Sequence, residues 1–437
     1  MNPELVFDTD ALKLRVCRTK KFKAGLLSVS AVLPIEAESA PLTSLLLSVL
    51  RRGTEKYPSL EEINRRLDYL YGTELSIRNF YRGDCQIIGF SAELLDSRFL
   101  PSDIALAEEV TSLLCQILYH PLLDENGLLQ KKYVESEKQF QCEAIRSIKN
   151  NPRAYASEQC NALLYQHDAC GASVYGTEEM IQAVTPEALT DFWRTLVKRL
   201  SFDCFYVGAA EPSEISGALE RTLGTEAAVG FPRKMPRSVK AVSSVETPYT
   251  GYDQMAVGQS QLLMGYTVDC VIGSPDYHAC LVFNELLGCS PVSRLFVYVR
   301  EKLSLCYHCS SFYHSAKGTL VIQCGLHRDH RARAEEEILH QLLLLASGDF
   351  EAAELEAAKK SLISTYRQTE DSPAAAEGFY FGRSLASFAE TVEECIEAIS
   401  HVTAEQVIAV AQRLKPHTVY FLEGTLEGGE EDDDEDN

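Results

Sequence analysis

Two segments of the chain share one pattern of hydrophobic and polar positions. The first is GLLSVSAVLPIEAESAPLTSLLLSVLRRG, from Gly25 to Gly53, and the second is SQLLMGYTVDCVIGSPDYHACLVFNELLG, from Ser260 to Gly288. Each starts as an alternating apolar run typical of a β-strand, passes a turn, and continues as an amphipathic helix that a glycine ends. The match indicates that the chain contains an internal duplication.

A second pair of similar segments lies near the end of each half. VTPEALTDFWRTLVKRLSFDCFYVG, from Val184 to Gly208, resembles VTAEQVIAVAQRLKPHTVYFLEG, from Val402 to Gly424. In both, a threonine, Thr185 or Thr403, is predicted to cap a helix that leads into a strand rich in β-branched and aromatic residues. Because the two pairs occur in the same order along the chain, coincidence is a poor explanation for them.

These patterns predict an α+β fold of two homologous α+β domains, each an antiparallel sheet packed by helices. A chain of 437 residues is also too long for one ordinary core. We expect a first domain over residues 1–230, a second over 249–425, and between them a basic linker, rich in Pro and Ser, over 231–248. The acidic stretch 426–437 is expected to be a disordered tail.

Charge and composition limit the kinds of partner and the cellular location that can be expected. The formal net charge of −22 argues against nucleic acid or an anionic membrane surface as a partner. No apolar run approaches the roughly 20 residues of a membrane span, and the first residues lack the apolar region of a secretory signal. The 14 cysteines show no paired spacing, so reduced thiols in a cytoplasmic protein are expected.

Several segments, in order, carry a resemblance to a known family. They read LLLSVLRRGTEKYPSLEEINRRLDYLYGTELS, NNPRAYASEQCNALLY, SVYGTEEMIQAVTPEALTDFW and NELLGCSPVSRLFVYVREKLSLCY. Together they resemble the pitrilysin/insulinase family of zinc peptidases, the inverzincins. The resemblance covers nearly the whole chain apart from the acidic tail, and it implies two similar α+β halves that face one another like a clamshell.

In that family an H-x-x-E-H motif on the first-domain helix binds zinc through two histidines and uses the glutamate as general base. The corresponding positions here are Ser44, Leu47 and Ser48. A serine hydroxyl is a poor zinc ligand beside imidazole, and leucine cannot accept a proton. The family's third ligand, a glutamate, corresponds to Glu143, which could not hold zinc alone. We therefore expect a degenerate zinc site and no cofactor in this chain.

The second half keeps an arginine and a tyrosine, Arg300 and Tyr307, in REKLSLCY. In the family, residues at this spacing face the zinc site from the C-terminal half. The resemblance therefore implies that Arg300 binds a substrate carbonyl and that the Tyr307 hydroxyl stabilises the oxyanion. Spacing alone favours the plainer interpretation, a surface arginine at a helix end and a core tyrosine on a strand.

The loss of the zinc ligands beside a retained Arg/Tyr pair resembles the non-catalytic subunit of two-subunit bacterial members of the family. This reading predicts a heterodimer with an H-x-x-E-H homologue that carries the zinc, acting on a peptide or unfolded polypeptide. The alternative is a purely structural core-type or assembly protein with no role in proteolysis. An independent enzyme with an unrecognised site is a third reading.

The second half contains two other groups of potential metal ligands. Cys306 and Cys309 form a C-x-x-C, but no second pair accompanies them, and on a strand they would face opposite sides of the sheet. We therefore expect no metal or redox role for this pair. His327 and His330 are expected to be solvated or to cap the start of a helix.

Overall fold

The computed structural model describes residues 1–101, 104–226 and 239–426. Residues 231–238 of the expected linker and 427–437 of the expected acidic tail lie outside the described residues. Among the described helices, none is long and apolar enough to cross a bilayer.

The strands of the described residues fall into two sheets. They are β1 Glu4–Asp8, β2 Leu12–Arg18, β3 Ala24–Pro34, β4 Leu75–Arg82, β5 Cys85–Leu95, β6 Phe202–Gly208, β7 Tyr249–Met255, β8 Ser260–Thr267, β9 Cys306–His314, β10 Thr319–Leu326 and β11 Lys415–Gly424.

The two sheets have the same topology. The first runs β1-β2-β6-β3-β5-β4 and the second runs β7-β11-β8-β10-β9. If β1 is set aside, the five remaining strands follow one order in both. The pairs β2–β6 and β7–β11 are parallel, and the other pairs of these five strands are antiparallel. The expected α+β fold and its duplication are therefore confirmed, although each sheet is mixed rather than wholly antiparallel.

Helices connect and cover the strands. They are α1 Ala40–Leu50, α2 Leu60–Tyr69, α3 Leu106–Tyr119, α4 Lys131–Lys149, α5 Pro152–Leu164, α6 Glu178–Gln182, α7 Pro186–Val197, α8 Pro212–Arg221, α9 Leu223–Glu226, α10 Tyr277–Asn284, α11 Arg331–Ser347, α12 Ala352–Gln368, α13 Pro373–Leu385, α14 Val392–Ser400 and α15 Ala404–Arg413. Two π-helical segments follow α10, at Glu285–Cys289 and Leu295–Lys302.

The predicted caps are present. The Thr185 side chain accepts a hydrogen bond from the backbone N–H of Ala188 at the start of α7. Thr403 does the same for Gln406 at the start of α15, where the Gln406 side chain returns a bond to complete a capping box. Both helices then lead directly into a buried strand, as the similarity between the two segments predicts.

The compact units do not follow the chain continuously. The first comprises the described parts of Met1–Ile145, Ala172–Ser238 and Gln368–Thr391, and the remaining described residues form the second. Whereas the sequence predicts continuous domains, α5 therefore belongs to the second unit and α13 to the first. In the second unit α5 packs on β7, β8 and β11, and in the first unit α13 packs on β3 and β6.

Each unit has an apolar core between its sheet and its helices. In the first unit, Leu45, Leu46 and Leu50 of α1 are almost fully buried. Burial of each such leucine contributes roughly 1.5–3 kcal/mol. In the second unit, Cys160 and Leu164 of α5 belong to a buried cluster with residues of β8, β10 and β11.

Candidate functional site

Helix α1 presents two serines where zinc ligands would be needed. Ser44 and Ser48 lie four residues apart and therefore on one face of the helix. Ser44 is buried and Ser48 is half-buried. Leu47, at the position of the general base, is 1% exposed and lines a small apolar cavity with Ala31 and Phe202. This face of α1 therefore packs into the core and offers no group that could activate water.

Helix α4 contacts α1 through residues other than Glu143. The Gln141 amide donates to the backbone carbonyls of Pro41, 3.2 Å away, and Tyr175, 2.9 Å away. Near the other end of α1, Glu137 forms an ion pair with Arg52. Glu143 is exposed on α4. Its correspondence to a zinc ligand stays a prediction. The side chain of α4 that contacts the start of α1 is the neutral amide of Gln141.

The Gly-Thr after α1 has a structural role. A Cβ on Gly53 would lie 2.8 Å from the carbonyl oxygen of Pro58, so only glycine fits this approach of two backbones. Thr54 is fully buried, and its hydroxyl accepts a hydrogen bond of 2.9 Å from the backbone N–H of Tyr57. The turn that these two residues form accounts for their presence, and no catalytic role is needed.

In the second unit, the segment NELLG, residues 284–288, ends α10 and forms most of the first π-helical segment, which packs against β9. The Asn284 amide donates to the Cys289 sulfur over 2.8 Å, and the Ser311 hydroxyl donates to the Asn284 carbonyl over 3.2 Å. A Cβ on Gly288 would lie 2.6 Å from the backbone nitrogen of Ser311. This part of the family-like sequence therefore holds helix and strand together.

Arg294 of SRLF is likewise structural. Its side chain is 4% exposed, with Nε donating to the side-chain oxygen of Gln341 over 2.8 Å and Nη1 donating to the carbonyl of Asp349 over 2.9 Å. A buried guanidinium needs such partners because an unpaired buried charge is costly. Arg294 therefore fixes the start of the second π-helical segment.

Arg300 differs from Arg294 in exposure. It lies near the end of the π-helical segment Leu295–Lys302, and 43% of its side chain is exposed. The guanidinium carbon lies 4.8 Å from the centre of the Phe296 ring, and Nε lies 3.7 Å from a Glu301 carboxylate oxygen. Such weak surface contacts leave most of its hydrogen-bonding capacity for another partner.

Tyr307 lies at a β-bulge on β9, which is an edge strand of its sheet. Cys306 pairs with Leu326 and His308 pairs with Gly325, so Tyr307 is the extra residue with no partner on β10. Bulges re-aim a side chain and often occur next to active sites. Tyr307 is 57% exposed. Its hydroxyl makes no hydrogen bond with any residue that the structure describes. The reading of Tyr307 as a core tyrosine is therefore wrong.

The same bulge corrects the expected geometry of the C-x-x-C. Because it shifts the strand register by one residue, Cys306 lies on the same face of β9 as Cys309 and not on the opposite face. Cys309 in turn lies directly opposite Cys324 of β10. Hydrogen bonds from Cys309 and Cys324, opposed by partial burial, lower the pKa of the Cys306 thiol to about 4. The bulge was not visible in the hydrophobic pattern.

The two histidines after β10 have local contacts. The Nδ1 of His327 accepts a hydrogen bond of 3.4 Å from the backbone N–H of Asp329, which caps a short 3₁₀ turn before α11. The Nδ1 of His330 lies 3.2 Å from the carbonyl oxygen of Leu305. The capping role expected of His327 is confirmed.

Comparisons with known proteins agree with this geometry. The family described as "Peptidase M16 inactive domain" matches residues 183–362. A protein of Bacillus subtilis named "Probable inactive metalloprotease YmfF" is 26% identical over 97% of this chain and 98% of its own length.

Two solved structures share the fold. A conserved protein from Enterococcus faecalis V583 superposes with a TM-score of 0.88 at 23% identity, covering 98% of this chain and 100% of its own. A structure titled peptidase M16 inactive domain, from Pseudomonas fluorescens, gives a TM-score of 0.79 at 16% identity, with coverage of 98% and 100%.

The two sheets of shared topology, together with these matches, define a two-domain peptidase homologue. The predicted resemblance to the pitrilysin/insulinase-type, or M16, peptidases is confirmed. The matches are to homologues of the inactive kind, and the sequence itself contains no H-x-x-E-H motif.

Proposed function

We propose that the chain is the zinc-less subunit of a peptide-cleaving heterodimer, in which the partner is an H-x-x-E-H homologue that carries the zinc. This proposal is supported by a difference in exposure among the family-like residues of segment 284–307. Asn284, Gly288 and Arg294 are buried and hold the fold together, whereas Arg300 and Tyr307 are exposed. Exposure with no more than weak local contacts fits residues that act on something outside the chain.

The chemistry of the pair suits a peptide under attack. A guanidinium donates charge-assisted hydrogen bonds to a carbonyl, and a phenol can donate to an oxyanion as it forms. Neither group generates the nucleophile. The pair therefore complements a zinc-bound water supplied by another chain, which is the part that α1 lacks.

A peptide or unfolded polypeptide fits the position of Tyr307. The edge of a sheet offers unpaired backbone groups to an extended chain, and such pairing gives affinity with little sequence preference. Tyr307 lies on edge strand β9, so a peptide added along this edge would pass close to its hydroxyl. The acidic balance of the chain disfavours nucleic acid as the alternative polymer.

The proposal can be tested by co-expressing the chain with the H-x-x-E-H homologue of its own genome and assaying the purified complex for peptide cleavage. Tyr307→Phe should lower kcat on the order of 10²–10³, the usual effect of removing one oxyanion donor. Arg300→Ala should also reduce turnover. Zinc should be found with the partner subunit.

Two control substitutions distinguish a specific role of the pair from a general effect of changing exposed residues of the same type. Lys302→Ala removes an exposed cation two positions from Arg300, and Tyr252→Phe removes an exposed phenol on β7, the other edge strand. Both should leave turnover near the wild-type value. Unchanged turnover in complexes carrying Arg300→Ala and Tyr307→Phe would refute the role of the pair. Failure of the two chains to associate would favour the structural or assembly alternative.

A further inference from the structure

Three cysteines of the second unit lie together on one face of its sheet. Cys309 of β9 and Cys324 of β10 are directly opposite each other in the strand pairing. The bulge at Tyr307 brings Cys306 onto the same face, and its thiol forms hydrogen bonds with both of the others. The cluster thus depends on tertiary register and is not a simple consequence of the C-x-x-C spacing.

Access from solvent differs within the cluster. Cys309 is 4% exposed and Cys324 is fully buried, whereas Cys306 is half-buried. Only two other cysteines of the chain, Cys170 and Cys289, are not buried. A small reagent from solvent would therefore reach Cys306 before its two neighbours.

The environment favours the thiolate of Cys306. Its pKa is lowered mainly by the hydrogen bonds from Cys309 and Cys324, with smaller contributions from the charges of His308 and Arg300. Cys289 provides a contrast, because burial of its thiol raises its pKa to about 11 although the residue as a whole is exposed. The thiolate is the reactive form of cysteine. Cys306 therefore combines the two properties of a reactive cysteine, which are access from solvent and a favoured thiolate.

We propose that Cys306, Cys309 and Cys324 form a thiol oxidation site in which Cys306 reacts with peroxide and the cross-strand pair Cys309–Cys324 receives the disulfide. This proposal goes beyond the proposed function and does not depend on it. It replaces the expectation that the C-x-x-C has no redox role.

The oxidation proceeds in three steps. The Cys306 thiolate attacks one oxygen of hydrogen peroxide, the O–O bond breaks, and hydroxide leaves and is protonated to water; Cys306 becomes a sulfenic acid. The Cys324 thiol attacks the sulfenic sulfur, an S–S bond forms, and the S–O bond breaks with loss of a second water. Cys309 then attacks Cys324 and releases the Cys306 thiolate. Two thiols are oxidised and one peroxide is reduced to two waters.

Geometry favours Cys309–Cys324 as the final product. Directly opposite residues of an antiparallel pair have Cα atoms about 4.5–5.5 Å apart, which lies within the range a disulfide requires. Cys306 lies opposite Leu326, two residues along β10 from Cys324, so the first disulfide, Cys306–Cys324, spans a longer diagonal and exchanges to the directly opposite pair. A thiol of low pKa is also the better leaving group in the exchange.

Peptide mapping tests the proposal directly on the full chain. Trypsin cleavage after Lys302, Lys317 and Arg328 places Cys306 and Cys309 on one peptide and Cys324 on the next. After stoichiometric peroxide, we expect the two peptides to be linked by a disulfide while Cys306 is again free for alkylation. Cys306→Ser should slow formation of the link at least about tenfold, because the thiolate that reacts first is missing. Cys289→Ser should have no effect.

A second measurement needs no substitution. In the unmodified protein at pH 6, iodoacetamide should label Cys306 well before Cys170 and Cys289, because an ordinary thiol loses about tenfold in rate for each pH unit below its pKa. The thiols of Cys270 and Cys280 also form a hydrogen bond with each other but are buried, and they should remain unlabelled. Equal rates of disulfide formation with and without Cys306, or first labelling at Cys289, would overturn the proposal.

Discussion

Arg78 of β4 forms a buried salt bridge with Glu377 of α13, with a nitrogen–oxygen distance of 3.0 Å and side chains 11% and 5% exposed. The Ser28 hydroxyl of β3 donates to the same carboxylate over 2.8 Å. Helix α13 comes late in the chain, yet it covers the first sheet. This buried pair therefore fixes the helix on a sheet built from a distant part of the sequence.

Replacing Glu377 should destabilise the protein strongly. Glu377→Gln keeps the side-chain volume but leaves the Arg78 charge buried without its partner, which typically costs about 3–5 kcal/mol. We expect a fall of that order in the free energy of unfolding, measured with urea. Asp371→Asn is the matched control, because Asp371 pairs with Lys21 at the surface, and loss of such a pair costs less than about 1 kcal/mol. Equal effects of the two changes would contradict this account.

Much of the fold could be predicted from the sequence because its signals are local or repeated. The caps at Thr185 and Thr403 and the strand–turn–helix repeat depend on neighbouring residues and on the period of apolar positions. The sequence could not predict that α5 belongs to the second unit and α13 to the first. An amphipathic pattern indicates that one face of a helix is covered, but it does not identify the sheet that covers it. Long-range partners such as Arg78 and Glu377 carry no local signal.

Leu47→Glu would restore the residue type of a general base, and it should destabilise the chain. Leu47 is 1% exposed and lies against an apolar cavity, so the new carboxylate would lose its hydration without gaining a partner. We expect a loss of roughly 3 kcal/mol or more, seen as a lowered Tm. Leu47→Met, which conserves volume and polarity, should cost less than about 1.5 kcal/mol. Similar Tm values for both variants would indicate that α1 still lines an open site.

The candidate site could be predicted in part. The expected loss of zinc chemistry follows from the residue types of Ser44, Leu47 and Ser48 at the positions that the resemblance identifies. The bulge at Tyr307 could not be predicted, since one extra residue changes the pairing of β9 with β10 without changing the sequence pattern that identifies a strand. The same shift explains why Cys306 lies on the face opposite to the one expected. The orientation of Glu143 depends on the phase of a long helix, which the resemblance did not specify.

Gly288→Ala should destabilise the second unit, whereas Gly378→Ala should stabilise the first. A methyl group on Gly288 would lie 2.6 Å from the Ser311 nitrogen on β9, and overpacking of this kind costs about 1–3 kcal/mol. Gly378 lies within α13, where an added Cβ would meet no atom of the described residues within 4 Å apart from its own helix turn. Alanine there should add up to about 1 kcal/mol through helix propensity. Urea unfolding measures both. Stabilisation by Gly288→Ala would show that the close approach is not required.

His308 should make stability depend on pH. Burial lowers its pKa, the charges of Arg153 and Arg300 lower it further, and the neighbouring Cys306 opposes them. Its buried Nε2 has no hydrogen-bond partner among the described residues. As the pH falls below about 6.5, the unfolded chain binds a proton that the folded chain does not, so stability is lost until the lowered folded pKa is passed.

Replacing this histidine should therefore flatten the pH profile. His308→Gln should lose less stability than the wild type between pH 7.5 and 5.5, measured as the change in Tm. His340→Gln is the control, because His340 is exposed on α11, and it should follow the wild-type profile. The same slope in His308→Gln and wild type would show that another group determines the acid sensitivity. A steeper slope would mean that the Cys306 thiolate, by favouring the protonated imidazole, outweighs burial and the two arginines.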